Sequence, residues 1–284
     1  MHDDSSHSLK KTLPDAIRNR KGPRKKEDIP KKVLELLNKG IIASVNLTEW
    51  LAVNHIELIT SNFPSLGIPQ QVLNTCLQKL EALKKPSTMN TIRTIGEAIY
   101  TYTEATNETD YFIDKLSNHP SDSIRCYTPY IIALYSTLRF EEKLDLARPL
   151  IKDPHFGVRE VVWMALRPEL ILHIDIAIPF LSHWAKDQHE YIRRFTTEIT
   201  RPRGVWCTHI TTLKEHPEQG LPILSLLKSD TSIYVQDSVG NWLNDASKSA
   251  PDFVLQLCNE WNQTSPTKET KRIIKKALRT LQKK

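Results

Sequence analysis

Glycine is scarce, 8 residues in 284, and long alternations of polar and apolar residues are missing as well. Sheets and barrels draw on both, so the shortage argues for helices. No apolar run approaches the roughly 20 residues that a membrane-spanning helix needs. The charged N-terminus has no apolar stretch behind it, so no signal peptide, no membrane contact and a cytoplasmic location are expected. The 4 cysteines, Cys76, Cys126, Cys207 and Cys258, are scattered without a Cys-x-x-Cys pair, which argues against a disulfide framework and for reduced thiols. The 10 histidines include no His-x-x-x-His spacing. Neither Gly-x-x-x-x-Gly-Lys-Ser/Thr nor Gly-x-Gly-x-x-Gly occurs, so no metal and no cofactor are expected.

What the chain does have is charge at its ends. Lys10–Lys32 holds ten basic residues against three acidic ones, and Lys268–Lys284 eight against one, so each end carries +7. The whole chain is only +6, which leaves the stretch between the ends net negative. Basic flanks on a mildly acidic body suit a polyanion gripped at its edges. Solvated, flexible tails explain the same charge. Residues 1–28 are read as a basic, flexible arm.

Four segments repeat with a period of 34 residues. They are "NHPSDSIRCYTPYIIAL" from Asn118, "KDPHFGVREVVWMALRP" from Lys152, "KDQHEYIRRFTTEITRP" from Lys186 and "SDTSIYVQDSVGNWLND" from Ser229. Arg125, Arg159 and Arg193 recur at the same place in the first three, and Gln236 takes it in the fourth after nine inserted residues. A weaker copy surrounds Arg272. In each copy a polar turn, with Asp or Ser as the expected cap, precedes a helix with one apolar face. Second helices such as "FEEKLDLARPLI" and "IDIAIPFLSHWA" lie between the copies. A helix pair of this size cannot bury its apolar stripe alone, so neighbouring pairs stack. The Asp-x-x-x-x-Val/Ile-Arg pattern resembles HEAT repeats, in which the second helix of each pair lines a concave face. The expectation is an all-α, HEAT-like repeat solenoid with a basic concave groove, one domain over residues 29–284 and clearest over 118–284. Trp50, Trp184 and Trp261 are expected in its core.

The inner helices carry arginines and a few acids. "LRP" at Arg167 and "TRP" at Arg201 place a proline one step beyond an arginine, again 34 apart. The proline is expected to end the helix, leaving free carbonyls that a cation caps. Equally, Arg159, Arg167, Arg193, Arg194, Arg201 and Arg203 form a guanidinium ladder suited to bidentate phosphate contact. Glu198 sits among them, within a turn of both Arg194 and Arg201, and an ion pair is its plainest explanation. Asp245 ends the next inner helix, and packed helices lie about 8–10 Å apart. Glu198 and Asp245 are therefore expected to face one point in the groove, with Trp206 packed over it. Two acids among phosphate-binding arginines make sense if the group recognised between them is a cation.

"HEYIRRFTTEITRPRGVW", "PILSLLKSDTSIYVQDSVGNWLNDASKSAPDFVLQL" and "TKETKRIIKKALRTL" together resemble the AlkC branch of the bacterial HEAT-like-repeat DNA glycosylases, whose other branch is AlkD. The resemblance runs from about Lys152 to the C-terminus and is weaker before it. It implies excision of cationic alkylated bases, such as N3-methyladenine, from double-stranded DNA without full flipping of the base into a pocket. It assigns Glu198, Asp245 and Trp206 to catalysis and the arginines to phosphates. One departure stands out. The family segment Ser-Glu-Phe-Ala-x-Arg-Pro reads "VWMALRP" here, so Trp163 replaces a glutamate and Glu160 is the nearest acid. Trp163 is then read as a residue that stacks on or wedges beside an exposed base. Three functions stay open: a monomeric glycosylase, a non-catalytic binder of branched or distorted DNA, and a protein-interaction scaffold.

Overall fold

Helix follows helix through the computed structural model, which describes residues 13–283. Among the described residues no strand occurs, and no helix is long and apolar enough to cross a membrane. The chain is an all-α, HEAT-like helical-repeat protein. Where one domain was expected from residue 29 onward, the residues sort into two compact units. One runs up to Thr137 and takes in Pro154–Val162, and the other holds Leu138–Asp153 and everything from Trp163 on.

The first unit contains α1 (Asp15–Arg18), α2 (Lys31–Asn38), α3 (Leu47–Ala52), α4 (His55–Leu66), α5 (Gln70–Glu81), α6 (Thr88–Thr106), α7 (Thr109–Ser117), α8 (Asp122–Arg125) and α9 (Thr128–Leu134). Its helix ends follow from local chemistry. Gly40 stops the α2 segment at φ +69°, a conformation that side chains resist. Asn46 opens α3 by accepting the Glu49 amide at 2.9 Å. Residues 1–12 of the basic arm lie outside the described residues. The remainder of the arm is fastened: Arg20 clasps the fully buried Glu49 at 2.9 and 2.7 Å and donates to the Ala43 carbonyl.

The second unit contains α10 (Phe140–Ile151), the later part of α11 (Phe156–Leu172), α12 (Ile174–Trp184), α13 (Glu190–Ile199), α14 (Thr211–Glu215), α15 (Leu221–Leu227), α16 (Ile233–Ala246), α17 (Pro251–Thr264) and α18 (Lys268–Ala277). Apolar residues at three- and four-residue spacing bury one face of each helix, as Leu144, Ala147 and Leu150 do in α10. The inner helices α13, α16 and α18 pack side by side. Trp50, Trp184 and Trp261 are all buried.

Two expectations need correction. α11 runs through Pro168 to Leu172, because a proline costs one hydrogen bond and some crowding, and packing outweighs both. Two of the turn aspartates do not cap their helices. Asp187 and Asp230 accept the amides of His189 and Ser232, two residues on, and so close the turn before the helix. The His189 ring caps α13 instead, accepting from the Tyr191 amide.

The period of arginine has a structural cause. Arg125 donates to the carbonyls of His119 and Pro120, Arg159 to that of Pro154, and Arg193 to those of Asp187 and Gln188. Gln236 does the same to the Asp230 carbonyl at 2.7 Å. Each residue reaches back five or six positions and fastens the turn that starts its own helix. Arg193 also grips Asp230 of the following turn at 2.6 and 3.0 Å.

Burial sets an acid limit on the first unit. His55 is enclosed against the Tyr127 hydroxyl, and desolvation lowers its pKa from 6.5 to about 4. Between those values the unfolded chain binds the extra proton, so stability is intact above about 6.5 and falls as the pH drops towards 4. Urea midpoints followed from pH 7 to 4 should show a loss on the order of 3 kcal/mol. His55→Gln should flatten that limb.

Candidate functional site

Glu198 lies at the end of α13 and Asp245 in the last turn of α16, and the packing of those helices brings them together. Arg201, two residues beyond α13, joins them. Its Nε and Nη2 donate to Asp245 Oδ2 at 2.8 and 2.7 Å, and its Nη1 reaches Glu198 Oε2 at 3.3 Å. The carboxylates are only 2% and 3% exposed, so this pairing is what makes their burial tolerable. Arg194 Nη2 stands 3.2 Å from Glu198 Oε1 with its guanidinium over the Tyr234 ring, whose edge meets Tyr191. Ser238 Oγ donates to Glu198 Oε1 at 2.9 Å, and Lys248 Nζ to Asp245 Oδ1 at 3.2 Å.

Two carboxylates thus meet three cations. Burial pushes the Glu198 pKa up, but Arg194, Arg201 and the Ser238 hydroxyl pull harder, and the net direction is below the ordinary value. Burial lowers that of Arg201, while Glu198 and Asp245 raise it above the usual arginine value. Two carboxylates against three cations leave the cluster with a net charge of +1.

The other expected residues divide. Trp206 does not form a lid: it is 60% exposed, at φ 60°, in the loop between α13 and α14. Trp163 is 2% exposed and belongs to the core, so its indole is not presented for stacking on a base. Arg167 is 1% exposed and donates to backbone carbonyls, while Arg159 and Arg193 fasten turns. Arg203 is half-buried beside the Trp206 loop. Sequence reasoning missed Ser238 and Lys248. Both were traceable by spacing, because Ser238 stands two turns before Asp245 on the same face of α16 and Lys248 follows it by three. No group of His, Cys, Asp or Glu side chains among the described residues is placed to hold a metal.

The bridge has a measurable consequence. Arg201→Met removes the cation shared by two buried carboxylates, leaving Arg194 on one and Lys248 on the other, and should cost about 3 kcal/mol in urea unfolding at pH 7. Adding Glu198→Gln and Asp245→Asn should restore part of that loss. The depressed Glu198 pKa also means that its contribution is present above the unfolded carboxyl value, about 4.3, and disappears as the pH falls through the folded one.

Residues 168–281 match the sequence model of a family described as DNA alkylation repair enzyme. Over 120 residues the chain is 42% identical to the uncharacterized protein YhaZ of Bacillus subtilis (strain 168), a stretch covering 42% of this chain and 33% of that one. The fold is similar to the alkylpurine DNA glycosylase AlkC of Pseudomonas fluorescens, solved bound to DNA containing an abasic site analog. The TM-score is 0.63 at 24% identity, covering 80% of this chain and 61% of AlkC. AlkD2 from Streptococcus mutans gives 0.58 at 24% identity, over 74% of this chain and 96% of AlkD2. The chain thus spans a third of YhaZ and about three fifths of AlkC, and at that identity the two structures speak for the fold. The segment 168–281, which holds Glu198, Arg201, Trp206 and Asp245, is the part of the chain that is similar to the DNA alkylation repair enzyme family.

Proposed function

We propose that the protein binds double-stranded DNA and excises cationic alkylated bases of the N3-methyladenine type, acting as a monofunctional DNA glycosylase. The observation that carries this reading is the convergence of Glu198 and Asp245 on the single guanidinium of Arg201. An alkylated purine bears a positive charge and is already a good leaving group. As its glycosidic bond stretches, positive charge moves to the sugar, and fixed carboxylates stabilise the oxocarbenium-like state and orient the attacking water.

The charge balance of the cluster supplies the trigger. Arg201 and Lys248 hold the acids in the free protein, and both are cations that a phosphate attracts. DNA phosphates compete for them, with Arg194 and Arg203 as further contacts, and a cation drawn away leaves a carboxylate facing the sugar. Arg159, Arg167 and Arg193 are left to hold the fold. The exposed Trp206 offers a ring face to a base.

A second reading has its own observation. The resemblance puts a glutamate where Trp163 stands, and Trp163 is buried. Loss of one preorganised group costs about 10²–10³ in rate, which would leave a protein that recognises distorted DNA without appreciable excision.

Free base released from methylated duplex DNA decides between them. The first reading expects product above the enzyme-free control, reduced at least about 100-fold in Glu198→Gln and in Asp245→Asn. Absence of product at high enzyme excess, with salt-sensitive duplex binding intact in both carboxylate variants, supports the second. Duplex affinity no better than that of any basic protein sinks both and leaves the scaffold.

A further inference from the structure

A buried arginine normally answers a carboxylate. Arg167, 1% exposed on α11, instead sends its donors to backbone: Nη1 to the Ile199 carbonyl at 2.7 Å, Nε to the Thr208 carbonyl at 2.8 Å, and Nη2 to the Arg201 carbonyl. Ile199 is the last residue of α13, where carbonyls lack helical partners and a cation is favoured. Arg201 is the residue whose side chain bridges Glu198 and Asp245. Thr208 follows Trp206 by two positions. The three acceptors therefore bracket the loop that carries Trp206 and fix the backbone from which the acid bridge springs.

The loop is closed on this guanidinium. A Cβ added at Gly204 would lie 3.2 Å from Arg167 Cζ, 3.3 Å from its Nη2 and 2.3 Å from Cys207 Sγ, so only glycine lets the chain pass. The Ile210 amide donates to the Pro202 carbonyl at 3.0 Å and ties the base of the loop. At the tip, Trp206 is held at φ 60°, a left-handed conformation that a bulky side chain adopts only when its surroundings impose it. Val205 and Trp206 are 51% and 60% exposed, so the strained tip contributes little to the core. Strain and exposure coincide at this tip, and backbone strain of this kind clusters at functional sites.

We propose that Arg167 is a positioning residue for the reaction, holding the Trp206 loop and the Arg201 backbone in their working arrangement before DNA arrives. The proposal rests on the reading of Glu198, Asp245 and Trp206 as the reacting site. A loop held in advance does not have to be ordered on binding, and the geometry it fixes is available to the transition state. Lysine cannot substitute, because one ammonium lacks the planar fork that reaches three carbonyls.

The test compares wild type with Arg167→Gln, Arg167→Lys and Gly204→Ala, the last disturbing the same clamp from the loop side in case the Arg167 variants do not fold. Hydrogen exchange over residues 201–210 should accelerate at least about tenfold in each variant, with exchange in α16 and α18 unchanged. In base release, kcat should fall about 10- to 100-fold at nearly constant KM, and Arg167→Gln should add little to the defect of Trp206→Ala, because both act through one loop. Unchanged loop exchange overturns the proposal, as does acceleration spread equally through α16 and α18, or Arg167→Gln and Trp206→Ala defects that multiply. If wild type releases no base, the proposed chemistry fails by itself. The clamp is then judged by loop exchange and by the same pair of variants in duplex binding, where multiplying defects again reject it.

Discussion

A guanidinium directed at backbone carbonyls is the interaction on which this structure leans most. It recurs at Arg125, Arg159 and Arg193, each fastening the turn ahead of its own helix, and at Arg167, which gathers three carbonyls from a helix end and the loop beyond it. Turns between short helices expose carbonyls that no helix satisfies, and burying them unpaired costs free energy comparable to a lost hydrogen bond. Arginine meets the need because its five donors lie in a rigid plane and its charge does not titrate away. A charge-assisted hydrogen bond is also stronger than a neutral one, so one buried side chain secures several turn residues.

The same property shapes the candidate site. Arg201 does to two side-chain carboxylates what the turn arginines do to carbonyls. Burying Glu198 and Asp245 without it would be prohibitive, and with it the pair becomes a compact element that ties α13 to α16. Ser238 satisfies a further lone pair of Glu198, and Lys248, on the solvent side, does so for Asp245. The cluster is thus a closed set of ion pairs, and the proposed function asks DNA phosphates to compete for its cations.

Trp163 and Trp206 show how little residue type says about role. Both are indoles in the same unit, and both are candidates on the basis of the family resemblance. One is packed into the core and the other stands in solvent on a strained backbone, held by a loop whose closure depends on Gly204. The difference lies in what surrounds each ring.

The helical class, the 34-residue period, the Asn46 cap, the Gly40 stop and the core tryptophans were all legible in the amino-acid order, because each follows from contacts within a few residues or from the spacing of apolar side chains. Grouping Glu198 with Arg194 and Arg201 was legible for the same reason, since three- and four-residue spacing sets neighbours on a helix. Only the tertiary structure decided that Arg201 spans to Asp245, that α11 continues past Pro168, that Trp163 is core and Trp206 is not, and that Arg167 turns its charge on backbone carbonyls. The last of these depends on where a helix end and a loop, 32 to 41 residues further along the chain, come to rest around one guanidinium. Local spacing carries no record of that, because such contacts are fixed by the packing of elements rather than by the residues beside them in sequence.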